Sequence, residues 1–223
     1  MVENMDILMK CCLFSGLSEE QIRKELLCYG SRRVIPKGSF LVHFQEKLEH
    51  FGIILRGSVR TMHIFSDGSV SIMDVLKAGE VYGADLICTK SRISPYYAMA
   101  AEETELLIFP ADIITEAGCL SEELRRQILD RLLVLLAQSN MKKEYRLAIL
   151  SRKGLRDRIL TYLTMQAAKR HTDTFEIPFN REELASFLCV NRSALSHELS
   201  RMREEGILTF RKNQFTIHGG EGE

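Results

Sequence analysis

Two short amphipathic segments near the C-terminal end carry the clearest hydrophobic pattern of the chain. In the first, Asn180 precedes a run with apolar residues on one helical face, and Glu183 follows at the spacing of a capping box. In the second, Asn191 can cap a helix whose apolar positions recur at i, i+4 and i+7. The inward positions of the two segments are Leu184, Ala185 and Leu188, then Leu195, Leu199 and Met202. This pattern predicts a helix-turn-helix.

The outward face of the second helix is short, polar and free of acidic residues. It consists of Arg192, Ser193, Ser196, His197 and Ser200. Every one of these side chains can donate a hydrogen bond, which suits a helix that enters the DNA major groove by its N-terminal turns. An ordinary helical hairpin would instead carry a mixture of Lys and Glu on its solvated face. Strand-like runs at 206–210 and 214–217 flank Lys212 and predict a β wing.

The central part of the chain consists of short strand-like runs cut by glycines. The predicted strands are residues 39–44, 51–55, 58–65, 70–75, 98–101 and 105–109. Gly57, Gly68 and Gly79 stand 11 residues apart, and Asp67-Gly68 is a hairpin signal. Repeated strand–turn units of this length predict a small antiparallel roll or barrel. Short helices over residues 6–30, one of them capped by Ser18, precede it.

Residues 121–147 form the longest helical segment, and its apolar residues cover more than one face. They are Ile128, Leu129, Leu132, Leu133, Leu135 and Leu136. A helix with two apolar faces needs two partners, which we expect to be the roll and the same helix of a second subunit. Without that second subunit, Leu132 or Leu136 should be exposed to water. A core helix of a single chain is the alternative.

The pattern gives an α+β fold with three parts. Residues 1–120 form a predicted β-roll sensor domain, 121–150 a dimerisation helix, and 151–223 a winged helix-turn-helix domain. Residues 151–154 interrupt the helical pattern and form a predicted hinge. A helix over 155–170 and a strand over 174–178 follow it.

Composition narrows the class of protein without identifying it. The chain has 223 residues, 30 Lys and Arg against 30 Asp and Glu, and no apolar run of membrane-spanning length. The predicted DNA-binding part carries 12 basic against 10 acidic residues, a weak asymmetry with the sign that DNA binding needs. With no leader pattern and six cysteines outside any paired framework, we expect a cytoplasmic, non-membrane protein. No catalytic motif occurs, so we expect no enzyme.

The order of roll, long helix, hinge and winged helix-turn-helix resembles the Crp/Fnr (cyclic-AMP receptor / fumarate-nitrate regulator) family of bacterial transcription factors. The roll motifs that carry the resemblance are Pro36-Lys37-Gly38, Ile54-Leu55-Arg56-Gly57-Ser58-Val59-Arg60, Asp67-Gly68 and Gly79-Glu80-Val81-Tyr82-Gly83. The Leu150-Ser-Arg-Lys-Gly154 segment looks like the hinge of the oxygen-sensing branch. The resemblance implies a jelly-roll sensor domain and a homodimer that binds an inverted-repeat DNA operator. RNA polymerase is the implied partner if the protein is an activator.

The family's base-reading positions fall on Arg192, Ser193 and His197. Arg192 matches the usual arginine and is shaped for guanine O6 and N7. Ser193 and His197 stand where the family often has glutamate and arginine, so the operator sequence should differ from the best-known one. Cys189 replaces the turn glycine, and Glu198 takes a usually apolar position. The candidate DNA contacts are Arg192, Ser193, Ser196, His197, Arg181 and Lys212.

The resemblance also places an effector pocket between the roll and the long helix. The aligned pocket residues are Gly83, Ala84, Asp85, Leu86, Tyr96, Tyr97 and Ala98, with Leu132 and Leu136 of the helix. The acid that holds ribose in the cyclic-nucleotide branch is replaced by Ala84, and the phosphate arginine is missing, although Arg92 stands four residues early. We therefore expect no cyclic AMP binding. The effector and any cofactor stay unidentified, and the two tyrosines either line the pocket or simply pack.

Three other kinds of function stay open at this stage. Cys11, Cys12, Cys28 and Cys119 suggest an iron–sulfur or thiol sensor, but their spacing is not compact, and buried structural cysteines are the plain alternative. A haem sensor would need an axial ligand such as His43, His50 or His63. A regulatory enzyme subunit could use the roll as a ligand sensor, but it would not need the winged helix-turn-helix.

Overall fold

The computed structural model describes residues 4–116 and 118–218. Residues 1–3, 117 and 219–223, which belong to the predicted sensor and DNA-binding domains, lie outside the described residues. The chain divides into two compact units, Met1–Asn140 and Met141–Glu223, and the boundary falls inside the long helix. None of the described helices combines the length and the apolar character needed to cross a bilayer.

Short helical turns open the first unit, as the sequence predicts. They are α1 (Met5–Lys10), a 3-10 turn (Cys12–Phe14), α2 (Glu19–Gln21) and a π-helical turn (Ile22–Leu26). Ser18 caps α2: its hydroxyl accepts from the Gln21 amide at 3.2 Å, and the Gln21 side chain accepts from the Ser18 amide at 2.9 Å. This reciprocal capping box confirms the predicted cap. Most apolar residues of these turns, such as Phe14 and Ile22, are buried in the core of the roll.

In the described part of the first unit, eight strands build the roll as two four-stranded antiparallel sheets that share one core. They are β1 (Ser31–Ile35), β2 (Phe40–Val42), β3 (His50–Arg56), β4 (Ser58–Ile64), β5 (Val70–Lys77), β6 (Val81–Tyr82), β7 (Tyr97–Ala100) and β8 (Thr104–Pro110). The sheet orders are β1-β8-β3-β6 and β2-β7-β4-β5. All six predicted strands are confirmed. Neither β1, an edge strand with four exposed residues, nor the two-residue β6 was predicted.

The glycines that separate the strands have the backbone conformation that the turns require. Gly57, Gly68 and Gly79 all have positive φ, which side chains rarely tolerate. At Gly57, a Cβ atom would also approach the Glu103 carbonyl oxygen to 2.6 Å, so β3 can pass into β4 only through glycine.

The long helix packs against the roll on one face and leaves another face bare. After the short α3 (Asp112–Thr115), α4 runs over Glu122–Leu150. Leu124, Ile128 and Leu132 recur every fourth residue and are buried in the core of the roll. The expectation that Leu132 or Leu136 would be exposed is therefore wrong, because Leu132 is 1% exposed and Leu136 packs against that core. The large exposed apolar residues of α4 are Leu133, Val134, Met141, Tyr145 and Leu147.

The second unit is a helix-turn-helix with a three-stranded wing. Its elements are α5 (Leu155–Arg170), β9 (Thr174–Glu176), α6 (Arg181–Phe187), α7 (Arg192–Glu204), β10 (Leu208–Arg211) and β11 (Gln214–Ile217). The strand order is β10-β11-β9, all antiparallel. The apolar positions predicted to face inward in α6 and α7 all lie in this unit's core. Ile149, near the end of α4, belongs to the same core.

Candidate nucleic-acid interface and effector pocket

The two helices of the helix-turn-helix are held by the asparagine caps that the sequence predicts. The Asn180 side chain accepts from the amides of Glu182 and Glu183 at 3.0 and 2.9 Å, and Glu183 Oε2 accepts from the Asn180 amide at 2.9 Å. Asn191 accepts from the Ala194 amide at 2.7 Å. Between the helices, Cys189 has φ of 56°, which explains why a glycine suits this turn. The caps fix where each helix begins, and so they fix which residues of α7 lie in its first turn.

The first two turns of α7 form an exposed polar face without a carboxylate. Arg192, Ser193, Ser196 and His197 are all exposed, whereas Ser200 is half-buried. The Ser193 hydroxyl donates to Asn191 Oδ1 at 2.8 Å, so its proton is already engaged and the oxygen is left to act as an acceptor. The structure therefore brings four of the six predicted DNA contacts together on one helix.

The other two predicted contacts, Arg181 and Lys212, meet at the wing. The Arg181 guanidinium lies over the rings of Phe210 and Phe215, 4.8 and 5.6 Å from their centroids, and donates to the Lys212 carbonyl at 3.3 Å. Burial, and then the charge of Arg192, lower the pKa of Arg181. Arg181 thus ties the start of α6 to the wing hairpin. Lys212 is exposed in the turn of that hairpin with φ of 55°.

Arg156 holds α7 from behind, which the sequence did not reveal. Its Nε donates to Glu198 Oε1 at 2.7 Å, and its two terminal nitrogens donate to the Glu205 carboxylate at 2.6 and 2.9 Å. Glu198, at the usually apolar family position, is only 14% exposed and faces α5 rather than solvent. The one sequence signal for this contact was Glu198 at a position that the family usually fills with an apolar residue, because an acid largely removed from water requires a cationic partner.

In the roll, two of the predicted pocket residues are bonded to each other. The Tyr96 hydroxyl donates to Asp85 Oδ1 at 2.7 Å. Burial, and then the negative charge of Asp85, raise the pKa of Tyr96 well above its usual value. Tyr97, the next residue, instead packs against the rings of three exposed residues, Phe40, His43 and Phe44. The two tyrosines therefore do not form one aromatic wall.

The remaining pocket residues line a tightly packed interior. Ala84, Leu86 and Ala98 are buried, and Leu132 and Leu136 of α4 pack in the same core. At Gly83, φ is 81° and a Cβ atom would come within 2.7 Å of the Leu48 side chain, so the segment lies against its neighbours. Close to it, the buried Tyr82 hydroxyl has no hydrogen-bond partner within the described ranges. Burial, and then the charges of Glu46 and Asp85, raise its pKa.

Arg92 is engaged elsewhere in the roll. Its guanidinium forms an ion pair with Asp112 and donates to the Thr115 hydroxyl at 3.2 Å. Its side chain is only 16% exposed. Both contacts use the same terminal nitrogen, so a bound phosphate would have to compete with Asp112 for this guanidinium.

The cysteines show no shared site. None of the six cysteines, all of which lie in the described part of the chain, forms a disulfide; Cys11 is buried, and Cys28, Cys88 and Cys189 are exposed. Burial raises the pKa of Cys11 to about 11, which keeps it protonated at neutral pH. Over residues 4–116 and 118–218, no three His, Cys, Asp or Glu side chains are grouped as a metal ion requires.

Comparison with known proteins agrees with this arrangement. The family of the cyclic nucleotide-binding domain matches residues 32–117, and that of the Crp-like helix-turn-helix domain matches residues 157–221. A probable transcriptional activator of Rhizobium leguminosarum bv. viciae is 25% identical over 86% of this chain and 79% of its own length. The cyclic AMP receptor protein of Thermus thermophilus is 26% identical over 88% of this chain and 87% of its own.

Solved structures show the same fold. FixK2 from Bradyrhizobium japonicum aligns with a TM-score of 0.63 at 20% identity, over 85% of this chain and 93% of that one. The c-di-GMP-responsive regulator CLP of Xanthomonas campestris aligns with a TM-score of 0.68 at 17% identity, over 91% and 100%. A roll, a long helix and a winged helix-turn-helix in this order define a DNA-binding transcription regulator. The chain belongs to the Crp/Fnr family of these regulators.

Proposed function

We propose that this protein is a cytoplasmic, homodimeric regulator that binds an inverted-repeat operator through α7 and does no catalysis of its own. The observation that carries the proposal is the exposed, carboxylate-free face formed by Arg192, Ser193, Ser196 and His197. DNA repels carboxylates, and base edges in the major groove accept and donate hydrogen bonds at the reach of these side chains. With two such helices related by a two-fold axis, the half-sites should lie about one helical turn apart.

Each contact residue has a distinct expected role. Arg192 at the helix start reads guanine by a bidentate pair. Ser193, whose proton is engaged by Asn191, accepts from a base amino group rather than donating to one. Ser196 and His197 read the next base pairs. Lys212 in the wing turn contacts phosphate, and Arg181 positions that turn through its bond to the Lys212 carbonyl.

The test compares Arg192→Ala with Lys212→Gln on the selected operator and on random duplex. Arg192→Ala should lower operator affinity by about 5- to 150-fold and relax preference at one base pair per half-site. Lys212→Gln should weaken both duplexes alike and reduce the salt slope by about one per protomer. Fluorescence anisotropy over a salt series measures both effects. Equal losses on the two duplexes for Arg192→Ala would show that Arg192 touches only phosphate.

Dimerisation is proposed for the bare face of α4. Val134, Met141 and Tyr145 follow the i, i+7, i+11 spacing of a single helical stripe, and Leu133 and Leu147 widen it. Exposure of an apolar stripe of this length to water is unfavourable. The same helix of a second subunit, packed alongside, is the simplest way to bury it.

The signal is proposed to be a small molecule other than a cyclic nucleotide. The Asp85–Tyr96 bond ties together two of the polar side chains that the pocket segments contribute, and the guanidinium of Arg92 is paired with Asp112. An effector would sit among Gly83, Ala84, Asp85, Leu86, Tyr96, Ala98, Leu132 and Leu136, and Tyr97 belongs to a separate cluster. It would act by binding one dimer arrangement more tightly than the other, with residues 151–154 as the proposed hinge. RNA polymerase is the further partner if the protein activates transcription.

A further inference from the structure

The recognition helix of this chain is fixed by a charged clamp on the side that faces away from the proposed DNA surface. Arg156 stands in the first turn of α5 and reaches two carboxylates of α7 at once. Each of its three nitrogens donates one bond of 2.6 to 2.9 Å, an arrangement that lysine could not reproduce. Glu198 and Glu205 lie seven residues, or about two turns, apart on α7. Two anchor points at that separation restrain both the rotation and the tilt of the helix.

A second arginine touches the same acids, but much more loosely. Arg201 lies 3.6 Å from Glu198 and 3.8 Å from Glu205, and its side chain is 55% exposed. Ion pairs of this length on an exposed side chain contribute little. Glu198, in contrast, is 14% exposed and depends on Arg156, because a carboxylate removed from water needs a close cationic partner.

Rotation of α7 decides which side chains point outward. Neighbouring helical residues are about 100° apart, so a turn of a few tens of degrees moves Arg192 off a base edge. A bidentate pair to guanine tolerates such a displacement poorly, whereas a phosphate contact by a long side chain tolerates it well. The loss of the clamp should therefore reduce sequence discrimination before it reduces general DNA affinity.

We infer that Arg156 is a positioning residue for base reading: by clamping Glu198 and Glu205, it sets the rotation of α7 that lets Arg192 reach its base. This inference rests on the proposed role of Arg192. It also gives a reason for Glu198 at a position that the family usually fills with an apolar residue. In this chain a charged pair takes the place of apolar packing between α5 and α7.

The test is a double-mutant cycle between Arg156→Ala and Arg192→Ala, measured by anisotropy on operator and on random duplex. In the parent protein, Arg192→Ala should lower the operator-to-random affinity ratio by about 5- to 150-fold. In the Arg156→Ala background, the same change should lower it less than about threefold, since Arg192 no longer reaches its base. Arg201→Ala is the matched control, because it removes the loose partner of the same two acids. It should leave the ratio unchanged.

A rescue variant separates positioning from a general loss of stability. Arg156→Met combined with Glu198→Leu replaces the partly buried charged pair by apolar packing, which is often tolerated well. It should restore the effect of Arg192→Ala on the ratio, even if Arg156→Ala alone folds poorly. If Arg192→Ala lowers the operator-to-random affinity ratio equally in the parent protein and in the Arg156→Ala protein, the inference is overturned and the role of Arg192 stays intact. No effect of Arg192→Ala in the parent protein would instead overturn the proposed base reading itself.

Discussion

Two adjacent leucines of α4 should respond in opposite ways to the same substitution. Leu132 is 1% exposed and lies in the core of the roll, whereas Leu133, about 100° further around the helix, is 66% exposed. Leu132→Ala removes core atoms, and Leu133→Ala removes atoms that only a second subunit could cover. If the bare face is the dimer interface, the first change should affect folding and the second should affect association.

The size of the association effect follows from the exposed area. Leucine loses three carbons on mutation to alanine, worth about 0.8 kcal/mol each when fully buried, or about 2.4 kcal/mol. Two-thirds of this side chain is available to a partner, which gives roughly 1.6 kcal/mol per protomer. A two-fold interface contains the residue twice, so Leu133→Ala should weaken the dimer by up to about 3 kcal/mol, or roughly 150-fold in Kd.

Sedimentation velocity across a nanomolar-to-micromolar series measures that constant, and urea unfolding measures stability. Leu132→Ala should reduce the free energy of unfolding by about 2–5 kcal/mol, and Leu133→Ala by less than about 0.5 kcal/mol once the monomers are compared. Val34→Ala is the control for association, since Val34 is 63% exposed on β1 of the roll. A parent protein that is monomeric at micromolar concentration would refute the reasoning, as would equal dimer constants for Leu133→Ala and Val34→Ala.

Two further predictions concern the first unit. Cyclic AMP and cyclic GMP should give no calorimetric binding at micromolar concentration; micromolar binding that Arg92→Ala abolishes would show that Arg92 leaves Asp112 to hold a phosphate. The buried Cys11 thiol, with its pKa raised to about 11 from 9.0, favours folding only while it is protonated. Its contribution should be complete below pH 9 and fall by about 2–3 kcal/mol as the pH rises to 11. Urea midpoints should therefore drop less steeply over that range in Cys11→Ala, and parallel curves would rule this out.

The helix-turn-helix could be predicted from the sequence because the interactions that define it are local. Capping at Asn180 and Asn191 and the spacing of Leu195, Leu199 and Met202 act within one or two turns, so sequence alone determines them. The same holds for the glycine turns of the roll at Gly57, Gly68 and Gly79. The strand β1 could not be predicted, because this edge strand runs from three polar residues into two apolar ones and has no alternation of polar and apolar positions.

Residues whose role depends on a distant partner could not be assigned from the sequence. The choice between Leu132 and Leu133 as the roll-facing residue depends on the rotation of α4, and a helix with apolar residues on two sides leaves that rotation open. Arg156 lies 42 positions before Glu198, and no periodic pattern links them. The Asp85–Tyr96 bond likewise joins two segments that the sequence identified only as separate walls of one pocket.

The residues at which this chain departs from its family are of two kinds: one lies inside the protein, and the others lie where a ligand would bind. Glu198 replaces an apolar residue inside the protein, so the chain had to supply Arg156 in compensation, and the helix keeps its place. Ser193, Ala84 and the segment around Tyr96 lie where a base or an effector would bind. A substitution at such a position must be matched by a different base or effector, and not by a second change within the protein. We therefore expect the family fold and the way α7 enters DNA to be retained, and the operator sequence and the effector to be particular to this regulator.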